Sequence, residues 1–354
     1  MSADQKNLRE PSTYKSKFEN WDHKASVRAK PRRSMSDEEA DGKFFFTPEL
    51  VPVSNHPIIQ ERGDDAIRKV VIHHLYTHLD FTENLEHQVV NQVAFQIGRK
   101  RFGFELHKKM IEDAWKLYVD EAYHAMFSAD LAAQVEEATG VTPLMLGTPR
   151  FLLLLHEIEE SVPANMRDLV RTFFTIVSET LISGTLGQVP KDRRVVSTVR
   201  EVIGDHAEDE GCHHAYFASL LKVLWPQLNT RQRAIIGPIL PKFVLGFLEP
   251  DFVAVREWLR AMDLTAREIE TILRESYPRD KVLKGIREGA MSTLRYFERN
   301  GVYEDPRTAE EFEKSGLILN GKPYPSQKKR LEPAADRPAR TVSKPEDTFH
   351  RDTT

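Results

Sequence analysis

Residues 204–216, GDHAEDEGCHHAY, crowd three histidines and four acids into a short run flanked by helix formers. In a helix, His206, Glu210 and His213 fall at i, i+4 and i+7, so their Cβ atoms share one narrow stripe. Glu208, Asp209 and His214 point elsewhere, and Cys212 lies off the stripe. Such a stripe is either a solvated face or part of a metal site, since carboxylate and imidazole both ligate hard and borderline dications. A second segment, DEAYHA, places Glu121 and His124 three apart and therefore on the same side of a helix. One Glu-x-x-His has little weight, because chance readily supplies it. Two of them on separate helices change the case.

Carboxylate bundles of the ferritin-like type hold two metals with one Glu from each of two helices and one Glu-x-x-His from each of the other two. The pattern therefore requires an acid in the helix before each Glu-x-x-His. FTENLEHQVVN offers Glu83 and Glu86. Either can face inward, and Glu86 is preferred because Val89, Val90 and Val93 set it beside an apolar stripe. FFTIVSETLISG offers Glu179, flanked by Phe173, Phe174, Ile176, Val177, Leu181 and Ile182. An unpaired carboxylate there carries a large desolvation penalty, which a pair of dications removes. Glu86, Glu121, His124, Glu179, Glu210 and His213 complete the set in chain order, and His206, one turn before Glu210, makes a seventh. These donors favour iron, with manganese as the alternative, and without a thiolate they do not suit structural zinc. Two ferrous ions can jointly deliver two electrons to O2, which no side-chain acid or base can do.

Long helices must position these groups, and the sequence supplies them. Apolar residues recur at three- and four-residue steps in ERGDDAIRKVVIHHLYTHLDF, TENLEHQVVNQVAFQIGRKRFG, ELHKKMIEDAWKLYVDEAYHAMFSADLAAQVEEATG, ANMRDLVRTFFTIVSETLISGTLG and RRVVSTVREVIGDHAEDEGCHHAYFASLLKVLW. Gly140, Gly187 and Pro226 punctuate them, and no β-type alternation of comparable length competes. Shorter helical segments continue to about residue 300. The expected fold is all-α: a ferritin-like four-helix bundle core with additional C-terminal helices over 56–320. Residues 1–55 read as a partly disordered N-terminal arm, although FFFTPELVPV could wrap onto the core. Residues 321–354 read as a disordered, basic, Pro-rich tail. A net charge of −4 gives no global basic field for nucleic acid. The single cysteine suits a reducing cytoplasm. No apolar run reaches membrane-spanning length.

TENLEHQVV, DEAYHA, SETL and HAEDEGCHH together resemble the AurF-type p-aminobenzoate N-oxygenases and the related arylamine oxygenase of chloramphenicol biosynthesis. The additional histidine of H-x-x-x-E-x-x-H, here His206, is the most specific element of the likeness. The resemblance implies a ferritin-like di-iron bundle, often dimeric, that activates O2 and oxygenates an amine nitrogen with electrons from a reductase or other external donor. Carried over residue by residue, its metal ligands are Glu86, Glu121, His124, Glu179, His206, Glu210 and His213.

An aminobenzoate would call for a cation to hold its carboxylate, and Arg287 and Arg295 of GIREGAMSTLRYFERNG are the candidates. His73, His74 and His78 could border the site, and Trp115 and Tyr123 could carry a radical, although packing is the commoner fate of such residues. The expected activity is oxidation of a primary amine, with an arylamine favoured. A different di-metal oxidase, such as a C-hydroxylase or desaturase, and a metal-storage bundle are the alternatives.

Overall fold

A computed structural model describes residues 14–36, 40–181 and 186–324. Ile182 and the tail from 325 onward lie outside that set. The main elements are α1 (Asp64–Leu85), α2 (Asn91–Gly98), α3 (Lys108–Thr139), α4 (Arg150–Ser161), α5 (Arg167–Leu181), α6 (Ser197–Gln227), α7 (Thr230–Ile236), α8 (Leu240–Leu248), α9 (Phe252–Arg260), α10 (Ala266–Ser276), α11 (Arg279–Arg299) and α12 (Pro306–Lys314). Among the described residues no helix is long and apolar enough to cross a membrane.

Four rods form the bundle. The first is α1 running into α2 through a single π-helical turn, Glu86–Val90. It packs on α3 and α5; α5 packs on α6, and α6 closes the ring against α3. Gly140 ends α3 in the left-handed conformation, φ 67°, which glycine adopts without steric penalty. α5 is buried almost all round, from Leu169 to Leu181. The bundle covers one side of α5, and α4, α8 and α11 cover the rest. This explains why the segment around Glu179 is apolar on every face rather than along one stripe.

The separate arm expected over 1–55 is part of the compact unit where it is described. Residues 14–36 lie across α3 and α6: Tyr14 Oη donates to Asp113 (3.0 Å), Arg32 pairs with Asp130 (2.7 Å) and Arg33 with Asp205 (2.9 Å). Phe18, Phe45, Phe46, Val51 and Val53 are buried. Leaving those side chains in water would forfeit the hydrophobic gain of burial, so the chain docks rather than floats. The expected boundary at 320 falls inside a two-strand turn, Ile318–Leu319 against Lys322–Pro323, and the compact unit ends at Tyr324.

Truncating Phe45 to Ala is expected to lower unfolding free energy by about 3–5 kcal/mol, as for a buried core aromatic. Chemical denaturation checks this. A loosely docked arm would register a change under about 0.5 kcal/mol.

Candidate metal centre

The four rods bring all seven sequence-selected side chains to one place. Glu86, Glu121, His124, Glu179, Glu210 and His213 are each inaccessible to solvent, and His206 is nearly so. Glu83, the other acid of the first rod, is exposed. The π turn begins at Glu86, and the wider turn lets the neighbours Leu85 and Glu86, then Val89 and Val90, all face inward. Such turns are rare and concentrate at functional positions.

Three overlapping groups have donor atoms within 4.8 Å of one another: Glu86, His124, His206 and Glu210; Glu121, His124, Glu210 and His213; and Glu86, Glu121 and Glu179. Glu210 Oε1 lies 3.1 Å from His213 Nδ1 and 3.2 Å from His206 Nε2. Glu121 Oε2 lies 2.9 Å from His124 Nδ1, and its Oε1 lies 3.0 Å from His213 Nδ1. The contacts at Glu121 Oε1 and His206 Nε2 are close but not aligned as hydrogen bonds. Both oxygens of Glu86 and Glu179, Oε1 of Glu121, Oε2 of Glu210 and Nε2 of His206 therefore lack a hydrogen-bond partner. Buried polar atoms without partners are costly and uncommon. Seven of them on five converging side chains fit a pair of cations.

The electrostatics agree. Burial, together with Glu121, Glu179 and Glu210, pushes Glu86 well above the usual carboxylate range, and burial with Glu210 and Glu121 does the same to Glu179. Burial also opposes charge on Glu121, but the charge of His213 and the hydrogen bonds from His124 and His213 together hold the group at about 2. Burial opposes protonation of His124, yet hydrogen bonds to Asp209 and Glu121 raise it to about 9. His213 is raised likewise against burial by Glu121 and Glu210. In the metal-free centre Glu86 and Glu179 thus favour the neutral acid, Glu121 and Glu210 the carboxylate, and His124 and His213 the imidazolium.

Two acids escaped the sequence reading. Asp209 Oδ2 lies 3.2 Å from His124 Nε2, and Asp120 Oδ2 lies 3.3 Å from His213 Nε2. Each precedes the Glu of one Glu-x-x-His and holds the histidine of the other, so both segments read Asp-Glu-x-x-His. The repeat was visible; the crossing of partners was not. The docked N-terminal segment fixes both acids. Trp21 Nε1 donates to Asp120 (2.7 Å), and the Ser26 amide donates to Asp209 (3.2 Å). Phe18 stacks on His213 at 5.9 Å, and Phe127 packs on His124 and His206.

Other candidates go elsewhere. Arg287 donates to the Gly316 carbonyl (2.6 Å) and covers the Tyr324 ring, while Arg295 is exposed. Neither is brought to the cluster, because the late helix α11 turns those positions away from its buried Ala290, Thr293, Leu294 and Phe297. Trp115 is 39% exposed and packs on Phe95 and Tyr118. Tyr123 packs on Phe127. His73 is buried on α1, whereas His74 and His78 border a cavity.

An all-α bundle whose interior gathers four glutamates and three histidines defines the class: a ferritin-like bundle with a carboxylate–histidine cluster that could hold metal. The chain matches the family described as P-aminobenzoate N-oxygenase AurF over residues 14–297 and belongs to it, an oxidoreductase family of di-iron N-oxygenases. No curated protein matches the chain.

Replacing Asp209 with Asn is expected to weaken metal binding about 10–100-fold, the usual effect of removing a carboxylate that orients a ligating histidine. Calorimetric titration measures it, with exposed Glu208→Gln unchanged as the control. The pH dependence has a definite sign. His124, raised to about 9, gives stability that is present below 6.5 and lost as pH rises toward 9. His213, Glu86 and Glu179 are raised too and act in the same sense, while Glu121 stays ionised throughout this window. His74 and His78, lowered by burial to about 4 and 3, act in the opposite sense only up to about pH 7.5, one unit above the free value, so the thermal midpoint of metal-free protein is expected to fall from there to pH 9. A flat or rising midpoint would contradict the charge assignment.

Proposed function

We propose that the chain is a di-iron, O2-dependent N-oxygenase that oxidises a primary amine, an arylamine by preference, to hydroxylamine, nitroso or nitro products. The observation that carries the reading is the convergence of unpartnered carboxylate oxygens and an imidazole nitrogen at one buried point. Glu86, Glu121, His124, Glu179, His206, Glu210 and His213 would hold the two ions. Iron is the favoured metal, and manganese suits the same donors. When bound, an iron pair supplies the electrons and the open coordination positions needed to activate O2.

The chain's own residues set the conditions. Asp120 and Asp209 accept from the Nε2 side of His213 and His124, which leaves Nδ1 of each ring turned to the centre. Phe18 and Phe127 cover the imidazoles and exclude water. One N-oxygenation inserts one oxygen atom into the amine and releases the other as water, consuming two electrons and two protons. The electrons come from an external reductase or small donor. A homodimer and a cytoplasmic setting complete the proposal; the single cysteine suits the latter.

Full-length protein loaded with ferrous iron under nitrogen should retain about two iron ions per chain, the stoichiometry of a carboxylate-bridged pair. Exposed to O2 and an arylamine, it should give product mass increased by oxygen on nitrogen. His206→Ala should reduce turnover at least about tenfold. Retention of a single ion, or oxygen found on carbon, would defeat the proposal.

A further inference from the structure

A cavity of about 600 Å³ lies between α1, the segment leading into α4, and the turn joining α8 to α9. That volume falls within the range of sites that enclose small organic ligands. Its walls are aromatic. Phe81 stands 4.7 Å from Phe151 and 5.2 Å from Phe247, while Phe46 and Trp258 flank His74 at 4.6 and 5.5 Å. His78 lines the cavity two turns before Glu86 on the same rod. Thr82, on the intervening turn, is buried with its hydroxyl unpartnered. The cavity therefore borders the rod that carries Glu86.

The unpaired charges among its described lining residues are acidic. Arg150 is the one Lys or Arg among the described lining residues, and it is paired with Glu249 at 2.8 Å. Asp80 and Asp251 add two further acids, and Asp251 is already occupied in capping α9 through the amides of Val253 and Ala254. Burial holds His74 at about 4, so it adds no cation at neutral pH. A carboxylate entering here would meet Asp80, Asp251 and an arginine already paired with Glu249, whereas an amine with an apolar body would meet rings.

We propose that this cavity binds the substrate, and that the substrate is a primary amine with an apolar body larger than one ring and no carboxylate. The proposal rests on the N-oxygenase reading and departs from an aminobenzoate as the natural ligand. The amine end faces His78 and the centre, and the apolar body lies among Phe81, Phe151 and Phe247.

The test uses full-length, iron-loaded protein under nitrogen, titrated calorimetrically with 4-aminobiphenyl and with 4-aminobenzoate. The biphenyl is expected to bind at least about tenfold tighter, a difference of about 1.4 kcal/mol. Val253 is 59% exposed on the cavity rim, so Val253→Trp narrows the mouth without disturbing the core. It should weaken aminobiphenyl about tenfold with iron content unchanged. Leu153→Trp, at a second exposed rim position, serves if the first variant does not fold. Glu249→Gln frees Arg150 and should narrow the gap between the two ligands. Equal or tighter binding of aminobenzoate, or affinity untouched by the rim variants, overturns the proposal. Selective biphenyl binding without oxygen on nitrogen would instead sink the N-oxygenase reading and leave the cavity assignment standing.

Discussion

Four carboxylates in a water-free interior repel one another, and everything else about this chain follows from how that repulsion is managed. Glu86, Glu121, Glu179 and Glu210 meet where no solvent reaches. Each ion taken out of water costs several kcal/mol even after relaxation. Without metal, protons ease the repulsion: burial favours the neutral acid at Glu86 and Glu179, and the surrounding carboxylates favour the charged form of His124 and His213. Two dications would balance the four carboxylates outright and let all three histidines serve as neutral ligands. Loading and proton release are then one process.

The support around the cluster is built in pairs. Asp120 and Asp209 each reach across to the histidine of the opposite rod, which ties α3 and α6 together through the site. The N-terminal segment then ties both acids through Trp21 and Ser26. What looks like an appendage in the sequence is thus the outer layer of the centre. Elsewhere on the molecule, the aromatic cavity borders the rod that carries Glu86. The N-terminal segment fixes the imidazoles, and the cavity is the proposed seat of the guest.

Much of this was legible before any coordinates. Helical spacing alone placed His206, Glu210 and His213 on one stripe, and the apolar neighbours of Glu179 argued that its charge needed a partner. Glu86 was preferred over Glu83 from Val89, Val90 and Val93, and the structure exposes Glu83 and buries Glu86. The π turn that makes this possible has no sequence signature at the level of periodicity. Asp120 and Asp209 were hidden because each points off its own helix's inner stripe toward a partner more than eighty residues away, a relation only tertiary structure reveals. Residues 14–36 are harder to read, because their polar, basic patches mask Phe18, the large apolar residue buried there, whereas the apolar run FFFTPELVPV shows its reason to dock. Arg287 and Arg295 rested on charge type alone, with no spacing argument to place them.

The central claim is that seven side chains on four rods enclose a pair of metal ions. Diffraction from crystals of iron-loaded protein, recorded on either side of the iron absorption edge, tests it most directly. The account predicts two anomalous peaks per chain inside the bundle, among Glu86, Glu121, His124, Glu179, His206, Glu210 and His213. A single peak, or iron bound anywhere other than among these residues, would contradict it.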